Sequence, residues 1–128
     1  MRLLLDTQLA LWWLTESGRV SATLRDLIEN AADAVFVSRA SLWEMAIKIG
    51  TGRLRVDLSR FAHQLTTDGF LWLNIENRHI LEVVSLPHFD DHKDPFDRLL
   101  VAQSLSEPLI LFTADAKLAR YGSTIRLV

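Results

Sequence analysis

The stretch RLLLDTQLALWWL, residues 2–14, determines the fold class of this protein. It places three leucines directly after one basic residue, which is typical of a buried parallel strand, and a helical pattern then begins at once. The same alternation of short apolar runs with helical patterns continues along the chain. It predicts a three-layer α/β/α sandwich with a mostly parallel central sheet. Further strands are predicted at residues 34–37, 70–75, 109–112 and 125–128, and further helices at residues 21–31, 40–49, 57–67, 77–84, 94–107 and 115–121.

The composition is that of an ordinary globular protein. The chain has 128 residues, 49% apolar and 23% charged, and we expect one domain over residues 1–128. The absence of cysteine excludes disulfide frameworks, cysteine-ligated metals and cysteine nucleophiles. The opening apolar run stops at Asp6, and no segment has the roughly 18 apolar residues of a membrane span. We therefore expect a soluble cytoplasmic protein that does not bind a membrane.

Acidic side chains follow two of the predicted strands. Asp6 ends the first strand, and Asp115 comes shortly after the strand at residues 109–112. Each is also well placed to cap the helix that follows, which is an ordinary role for aspartate. Ligand sites in open parallel sheets lie outside the carboxyl ends of the strands, so both residues are predicted at the edge where a site forms.

Glu44 lies in the middle of a predicted helix, within the apolar sequence SLWEMAI. An ion pair with Lys48, one helical turn later, would explain it as a surface residue. The apolar neighbours on both sides favour instead a half-buried, functional carboxylate, because an acid in apolar surroundings is costly without a reason.

The block DHKDPFDRLLVAQS contains a well-formed helix start. Asp94 as N-cap and Pro95 as the first helical residue explain that start, and capping is the favoured interpretation of Asp94. Asp97 differs, because Leu100 and Val101, three and four positions later, belong to the inward face of the helix. We therefore expect Asp97 to face the edge of the sheet rather than free water.

Four of these acids come from separate predicted elements that could meet at one sheet edge: Asp6, Glu44, Asp97 and Asp115. Carboxylates so close together cannot all ionise unpaired, because like charges raise their pKa values. Mg²⁺ or Mn²⁺ resolves this conflict, since both take hard oxygen ligands. Two such ions can activate a water and stabilise the leaving oxygen of a phosphodiester. The sequence therefore predicts a divalent metal site.

The basic residues offer a weaker indication of function. The net charge of −2 argues against binding nucleic acid by bulk positive charge. Without the four acids the count changes from −2 to +2, so the remaining surface is slightly basic. Scattered basic residues are usually solvated surface, but some could contact phosphates. The candidates are Lys48, Arg53, Arg55, Lys93, Arg98, Lys117 and Arg120.

Four segments, in their order and spacing, resemble a PIN-domain protein, and more narrowly the VapC-type toxins of bacterial toxin–antitoxin modules. They are LLLDTQLALWWL, SLWEMAIKIGTGRL, HKDPFDRLLVAQS and LILFTADAKLARY, and they span residues 3–121. The resemblance implies a Mg²⁺- or Mn²⁺-dependent endoribonuclease that hydrolyses RNA with a metal-activated water. It also implies a small cognate antitoxin as inhibitor, a homodimer, and structured RNAs of the translation machinery as substrates.

The resemblance also assigns roles to individual residues. Thr113 would hold a metal-bound water or Asp6, and Glu44 would complete the ligand shell or help to take a proton. Asp94 is an additional acid, whose role as ligand or as cap stays open. The direct or water-mediated metal ligands would be Asp6, Asp97 and Asp115.

Two histidines lie in the polar loop at residues 88–94, close to several acids. A solvated loop explains His88 and His92 better than a transition-metal site does, since nothing aligns them on a helix. His92 lies near the acidic edge, however, where it could contact a phosphate.

The four tryptophans are many for a chain of this length. Core packing is the prediction for Trp43 and Trp72. Trp12 and Trp13 are neighbours on a predicted helix and cannot face the same way, so we expect one of them to protrude toward a partner.

Other functions are open or disfavoured. A non-catalytic PIN-like protein- or RNA-binding module is the main alternative, although it has no need for all four acids. A DNA-directed nuclease or a phosphatase with the same metals is not separated from a ribonuclease by the sequence. Serine hydrolysis and phosphoaspartate chemistry are poorly supported, because no G-x-S-x-G motif occurs and Gln8 stands where a second aspartate is needed.

Overall fold

The computed structural model describes residues 1–128 and contains one five-stranded sheet, in which every neighbouring pair of strands is parallel. The strand order is β3-β2-β1-β4-β5, so the first strand lies at the centre. The predicted α/β class with a parallel sheet is confirmed. The strands are β1 (Arg2–Leu5), β2 (Ala34–Ser38), β3 (Leu71–Leu73), β4 (Ile110–Thr113) and β5 (Ile125–Leu127).

Seven α-helices connect and cover the strands. A short 3₁₀ turn follows the first helix, and a π-helical turn at Leu27–Ala31 extends the second. The helices are α1 (Thr7–Thr15), α2 (Ala22–Asp26), α3 (Arg39–Gly50), α4 (Leu58–Thr67), α5 (Asn77–Val83), α6 (Pro95–Ser106) and α7 (Ala116–Ala119).

The leucines of β1 explain the layered arrangement. Side chains alternate between the two faces of a strand, and here both faces are fully buried. Leu3 and Leu5 pack in a core with residues from α1 to α4, whereas Leu4 packs in a second core with residues of α6 and α7. The sheet therefore lies between two helical layers, as the sequence predicts.

Three helices begin directly or almost directly at the carboxyl ends of central strands. Asp6, Ser38 and Asp115 cap α1, α3 and α7, and each side chain accepts a hydrogen bond from a backbone N–H of the helix that it caps. Parallel strands end at the same edge of a sheet, so these caps bring polar side chains together at one place.

Several boundaries differ from the predictions. The strand predicted at residues 70–75 is only Leu71–Leu73, because β3 is an edge strand that pairs with β2 alone. The predicted closing helix at residues 115–121 shortens to Ala116–Ala119. The last apolar segment does form the expected edge strand, β5, in parallel with β4.

The tryptophan predictions need correction. Trp43 is 57% exposed rather than in the core, because Ser41, Glu44 and Met45 occupy the buried face of α3. Trp12 and Trp13 are both half-buried against the first core. The expectation that one of them protrudes toward a partner is therefore wrong. Helix–core contact on both sides of α1 accommodates the two neighbours. Trp72 is half-buried and packs against that core.

None of the helices combines the length and the apolarity that a bilayer crossing requires.

Candidate active site

Asp6 is at the base of the candidate site, directly after the central strand. Its side chain is 5% exposed. One carboxylate oxygen, Oδ1, accepts the backbone N–H of Leu9 at 2.8 Å, and the other, Oδ2, accepts the hydroxyl of Thr113. The backbone N–H of Asp6 continues the ladder to the Phe112 carbonyl at 3.0 Å. Two hydrogen bonds therefore hold the carboxylate, and a third holds its backbone, at the carboxyl edge of the sheet.

Thr113 links the ends of the two central strands. It is fully buried, and besides donating to Asp6 it accepts the backbone N–H of Asp115 at 3.0 Å. Asp115 itself is exposed and caps α7 through Oδ1, which accepts the N–H of Lys117 at 2.9 Å. The hydrogen bond to Asp6 is one of the two contacts that the resemblance implies for Thr113.

Glu44 extends toward Asp6 from α3 and is 7% exposed. Its Oε1 accepts the hydroxyl of Thr7 at 2.8 Å, and its Oε2 lies 2.7 Å from Nζ of Lys48. Glu44 therefore pairs with Lys48 and is also buried, and its functional role stays a prediction. Thr7, on the first turn of α1, also lies 2.8 Å from the Ser41 hydroxyl, which ties α1 to α3.

The start of α6 adds two more acids. Asp94 is exposed and caps the helix by accepting the backbone N–H of Asp97 at 2.9 Å, as predicted. The side chain of Asp97 is 24% exposed and lies 3.1 Å from the imidazole of His92. Asp97 is thus partly withdrawn from water, in agreement with the prediction from its helical position.

His92 is buried, which corrects the prediction of a solvated loop at this residue, whereas His88 is exposed as that prediction expects. Its Nδ1 is 2.9 Å from the Tyr121 hydroxyl, while its Nε2 contacts Asp97. Tyr121 in turn accepts from Nη1 of Arg98 at 3.1 Å. The consistent assignment is that Tyr121 donates to Nδ1 and Nε2–H donates to Asp97, so His92 positions that carboxylate instead of contacting a phosphate.

Arg98 does not reach a phosphate either. It is 9% exposed, and Nη1 also donates to the Pro87 carbonyl at 2.8 Å. Its guanidinium lies 5.7 Å from the Tyr121 ring centroid. The prediction failed because Tyr121, twenty-three positions later in the chain, covers this side of α6.

A single cavity of about 580 Å³ brings the predicted acids together. Its wall includes all four predicted site acids, the helix cap Asp94, and two basic residues. The charged lining residues are Asp6, Glu44, Asp94, Asp97, Asp115, Lys48 and Arg53. Five carboxylates against two cations leave a strongly negative cavity at the carboxyl edge of the sheet.

The electrostatics of two acids reflect this imbalance. Burial raises the pKa of Asp6 above its ordinary value, against the hydrogen bonds from Thr113 and Leu9 that lower it. Burial also raises the pKa of Asp97 to about 6, with smaller contributions in the same direction from the charges of Asp94 and Glu44. Burial thus makes both carboxyl groups harder to ionise, although the hydrogen bond with His92 lowers the pKa of Asp97.

The donors fit a hard divalent cation. The tightest group of possible ligand atoms at the cavity comprises His92, Asp97 and Asp115, whose atoms lie within 4.8 Å of one another. We favour the two carboxylates of that group, because both ring nitrogens of His92 are already engaged. Asp6 and Glu44 are outside the group but line the same cavity. A bound Mg²⁺ keeps several of its waters, so Asp6 and Glu44 could contact the ion through one of these waters.

Sequence reasoning missed three residues that shape this site. Thr7 bonds Glu44 and is itself bonded to Ser41, and Tyr121 orients His92. The position of Thr7 directly after Asp6 is a signal that was available in the sequence. The contact of Tyr121 is not visible there, because it depends on how the loop after α5 folds over α7.

Comparisons with known proteins agree with this architecture. A family model for the PIN domain matches residues 3–123. Among solved structures, the chain is similar to the crystal structure of VapBC2 from Rickettsia felis bound to a DNA fragment from their promoter. That similarity has a TM-score of 0.70 and 14% sequence identity, and it covers 100% of this chain and 98% of the other, which shows a shared fold. A comparison with curated proteins gave no match. Because the family match extends over most of the chain, the protein belongs to the PIN domain family.

Proposed function

We propose that the protein is a Mg²⁺- or Mn²⁺-dependent endoribonuclease that acts as the toxin of a toxin–antitoxin pair. The observation that carries the proposal is the single cavity in which four carboxylates from separate elements converge. Two of them have raised pKa values, so the cavity favours a cation. Membership of the PIN domain family and the fold shared with VapBC2 support a nuclease and a toxin role.

The proposed roles follow from where each side chain is held. Asp97 and Asp115 would hold the metal directly, and Asp6 would do so directly or through water. When bound, Mg²⁺ or Mn²⁺ supplies a water of lowered pKa and positive charge for the leaving oxygen. Glu44, fixed through Oε1 by Thr7, would complete the ligand shell or take a proton there. Thr113 keeps Asp6 oriented, and His92 does the same for Asp97.

Partners are also part of the proposal. We infer that a small antitoxin inhibits the protein by covering the cavity and that two copies form a homodimer. An exposed apolar patch supports a protein interface: Trp43 is 57% exposed, and Ile80, Leu81 and Val84 on and after α5 are 54%, 68% and 80% exposed. We assign the patch to the second copy, and sedimentation of Trp43→Ser beside the wild type tests that assignment.

The central experiment compares cleavage by matched variants. Wild type, Asp6→Asn and Asp97→Asn are incubated with total RNA and Mn²⁺, and fragment ends are mapped. Of these three proteins, we expect only the wild type to cleave RNA at discrete positions and to arrest growth on expression. Asp68→Asn, an exposed acid at the end of α4, is the control and should cleave as the wild type does.

The same four proteins, assayed also with DNA as substrate and for binding of RNA and of a protein partner, decide between the alternatives. Equal cleavage by all four proteins would place catalysis elsewhere. An inert wild type that still binds RNA or a protein partner would favour the non-catalytic module. Cleavage of DNA but not of RNA would favour a DNA-directed nuclease.

A further inference from the structure

The cations near the cavity fall into two groups, those that another part of the chain already engages and those that are free. Arg120 pairs with Asp91 at 2.8 Å, and this hydrogen bond lowers the pKa of the Asp91 carboxyl. Lys117 donates to the backbone carbonyl of Asp91 at 3.3 Å. The basic residues on the α7 side are therefore occupied by the loop before α6.

Lys93, just before α6, is exposed without an ion pair, and a larger free group extends from the end of α3 to the first turn of α4. Arg53, Arg55 and Arg60 are exposed and form no ion pair. The only side-chain hydrogen bond of Arg53 is a long one, 3.4 Å, to the hydroxyl of Thr51. Three guanidinium groups in one short segment, without carboxylate partners, form a local positive strip.

The strip leads away from the carboxylate cavity. Arg53 lines that cavity together with Glu44. Arg55 and Arg60 line a neighbouring cavity of about 540 Å³, next to Trp13 at the end of α1. The arginines thus extend from the wall of the proposed catalytic cavity into the neighbouring cavity, which Asp57 also lines.

The backbone that carries the strip is anchored. Leu54 and Val56 are half-buried against the first core, while the residues on either side of each of them are exposed. This alternation directs Arg53 and Arg55 outward from a fixed segment. Asp57 then caps α4 through the N–H of Arg60 at 3.1 Å, which fixes the third arginine in the first turn of that helix.

We propose that Arg53, Arg55 and Arg60 bind backbone phosphates of the RNA strand on one side of the scissile bond. This proposal rests on the proposed nuclease function, since the carboxylate cavity is taken as the place of the scissile phosphate. Guanidinium groups match phosphate geometry with paired hydrogen bonds and stay charged at every relevant pH. Contacts of this kind fix the register of a strand without reading its sequence. The RNA path therefore follows the α3–α4 side, away from α7.

Binding of an uncleaved strand tests the path without relying on catalysis. In an Asp6→Asn background with Mg²⁺, the affinity for a fluorescein-labelled oligouridine 12-mer is measured over a series of salt concentrations. We expect Arg55→Ala/Arg60→Ala to weaken binding about tenfold or more. The slope of log K against log salt should become shallower by about 1.4, because each lost phosphate contact on a single strand removes about 0.7.

The matched control removes the same charge elsewhere. Arg2→Ala/Arg126→Ala takes away two exposed arginines that form no ion pair, at the start of β1 and on β5. Binding by this control should stay within about twofold of the Asp6→Asn background. Equal losses in both double variants, or an unchanged salt slope in the test variant, would overturn the path. Thermal melting of each variant shows whether it remains folded.

Hydrogen exchange locates the strand independently. In the same oligonucleotide complex we expect protection over residues 50–60 and none over α7. Protection over α7 instead would overturn the proposal, as would oligonucleotide binding by the test variant equal to that of the control. If the wild type binds the strand along residues 50–60 but cleaves nothing, the nuclease proposal is wrong, while phosphate binding by the positive strip is supported.

Discussion

The protein contains two clusters of one histidine with carboxylates, and they differ in one respect, the presence of a built-in cation. In the first, His79 is fully buried and its Nε2 lies 2.6 Å from Glu107. Arg78 bonds Glu107 and, at 2.8 Å, Glu76. In the second, His92 contacts Asp97 at the wall of the large cavity, and no guanidinium bonds the carboxylate.

The difference separates a structural cluster from a reactive one. In the first cluster the chain supplies its own positive charge, and the hydrogen bond that Arg78 donates to Glu76 raises the pKa of Arg78. In the second cluster burial raises the pKa of Asp97 to about 6, although the hydrogen bond with His92 lowers it, and no arginine or lysine pairs with this carboxylate. An external divalent cation is therefore expected at the second cluster and is superfluous at the first.

Removing a carboxylate from the second cluster should have the largest effect. We predict that Asp97→Asn lowers RNA cleavage with Mn²⁺ at least about 100-fold, since charge stabilisation at a reacting centre is typically worth 10²–10³ in rate. Glu76→Gln, the corresponding change in the first cluster, should leave the rate within about twofold. A comparable loss in both variants would erase the distinction between the clusters.

The first cluster should matter for folding instead. Glu107→Ala leaves the buried Nε2–H of His79 without its acceptor, so we expect a loss of about 1–3 kcal/mol in the free energy of unfolding. Urea denaturation measures this loss, with Glu82→Ala on the same helix as His79 for comparison. Wild-type stability of the Glu107 variant would show that the cluster does not hold α5 to the end of α6.

The stability that the second cluster contributes should fall as the pH rises, whereas the stability from a carboxylate in an ion pair rises with pH. Because the folded pKa of Asp97 is raised from 3.8 to about 6, the folded state binds this proton more tightly than the unfolded state does. The contribution of protonated Asp97 to the free energy of unfolding is therefore fully present below about pH 4 and is lost as the pH rises through 6. We predict that metal-free Asp97→Asn is more stable than the wild type by about 1–2 kcal/mol at pH 8.

The comparison of the two proteins across pH checks this prediction. Their melting temperatures should converge as the pH falls toward 4, since Asp97 is then protonated and resembles asparagine. A wild type that is more stable than Asp97→Asn at pH 8 without metal would contradict the assignment of an uncompensated carboxylate.

The smallest effect is expected from the residue that orients His92. Tyr121→Phe removes the hydroxyl that lies between Arg98 and Nδ1 of His92. We predict a loss of about 1 kcal/mol in stability and a reduction of several-fold in cleavage rate, with Mn²⁺ affinity retained. Unchanged cleavage by this variant would show that the Tyr121 hydroxyl is not needed to orient His92 toward Asp97.

The sequence predicts the fold and the four acids well because both depend on local rules. A leucine run before Asp6 forms the central strand, and the positions of Leu100 and Val101 determine where Asp97 faces. The environments of His92 and Arg98 are not local, since Tyr121 from a distant segment buries both. Trp43 was mispredicted for a similar reason, because the buried face of α3 includes Glu44 rather than only apolar residues.

Mn²⁺ binding by the metal-free protein tests the central claim most directly. Calorimetric titration at pH 7.5 is carried out on the wild type, Asp6→Asn/Asp97→Asn and Glu76→Gln. We predict that the wild type and the Glu76 variant bind Mn²⁺ alike, and that the double variant loses at least about tenfold in affinity. Mn²⁺ binding of equal strength by the double variant, or its loss in Glu76→Gln alone, would contradict a metal site built from the acids at the carboxyl edge of the sheet.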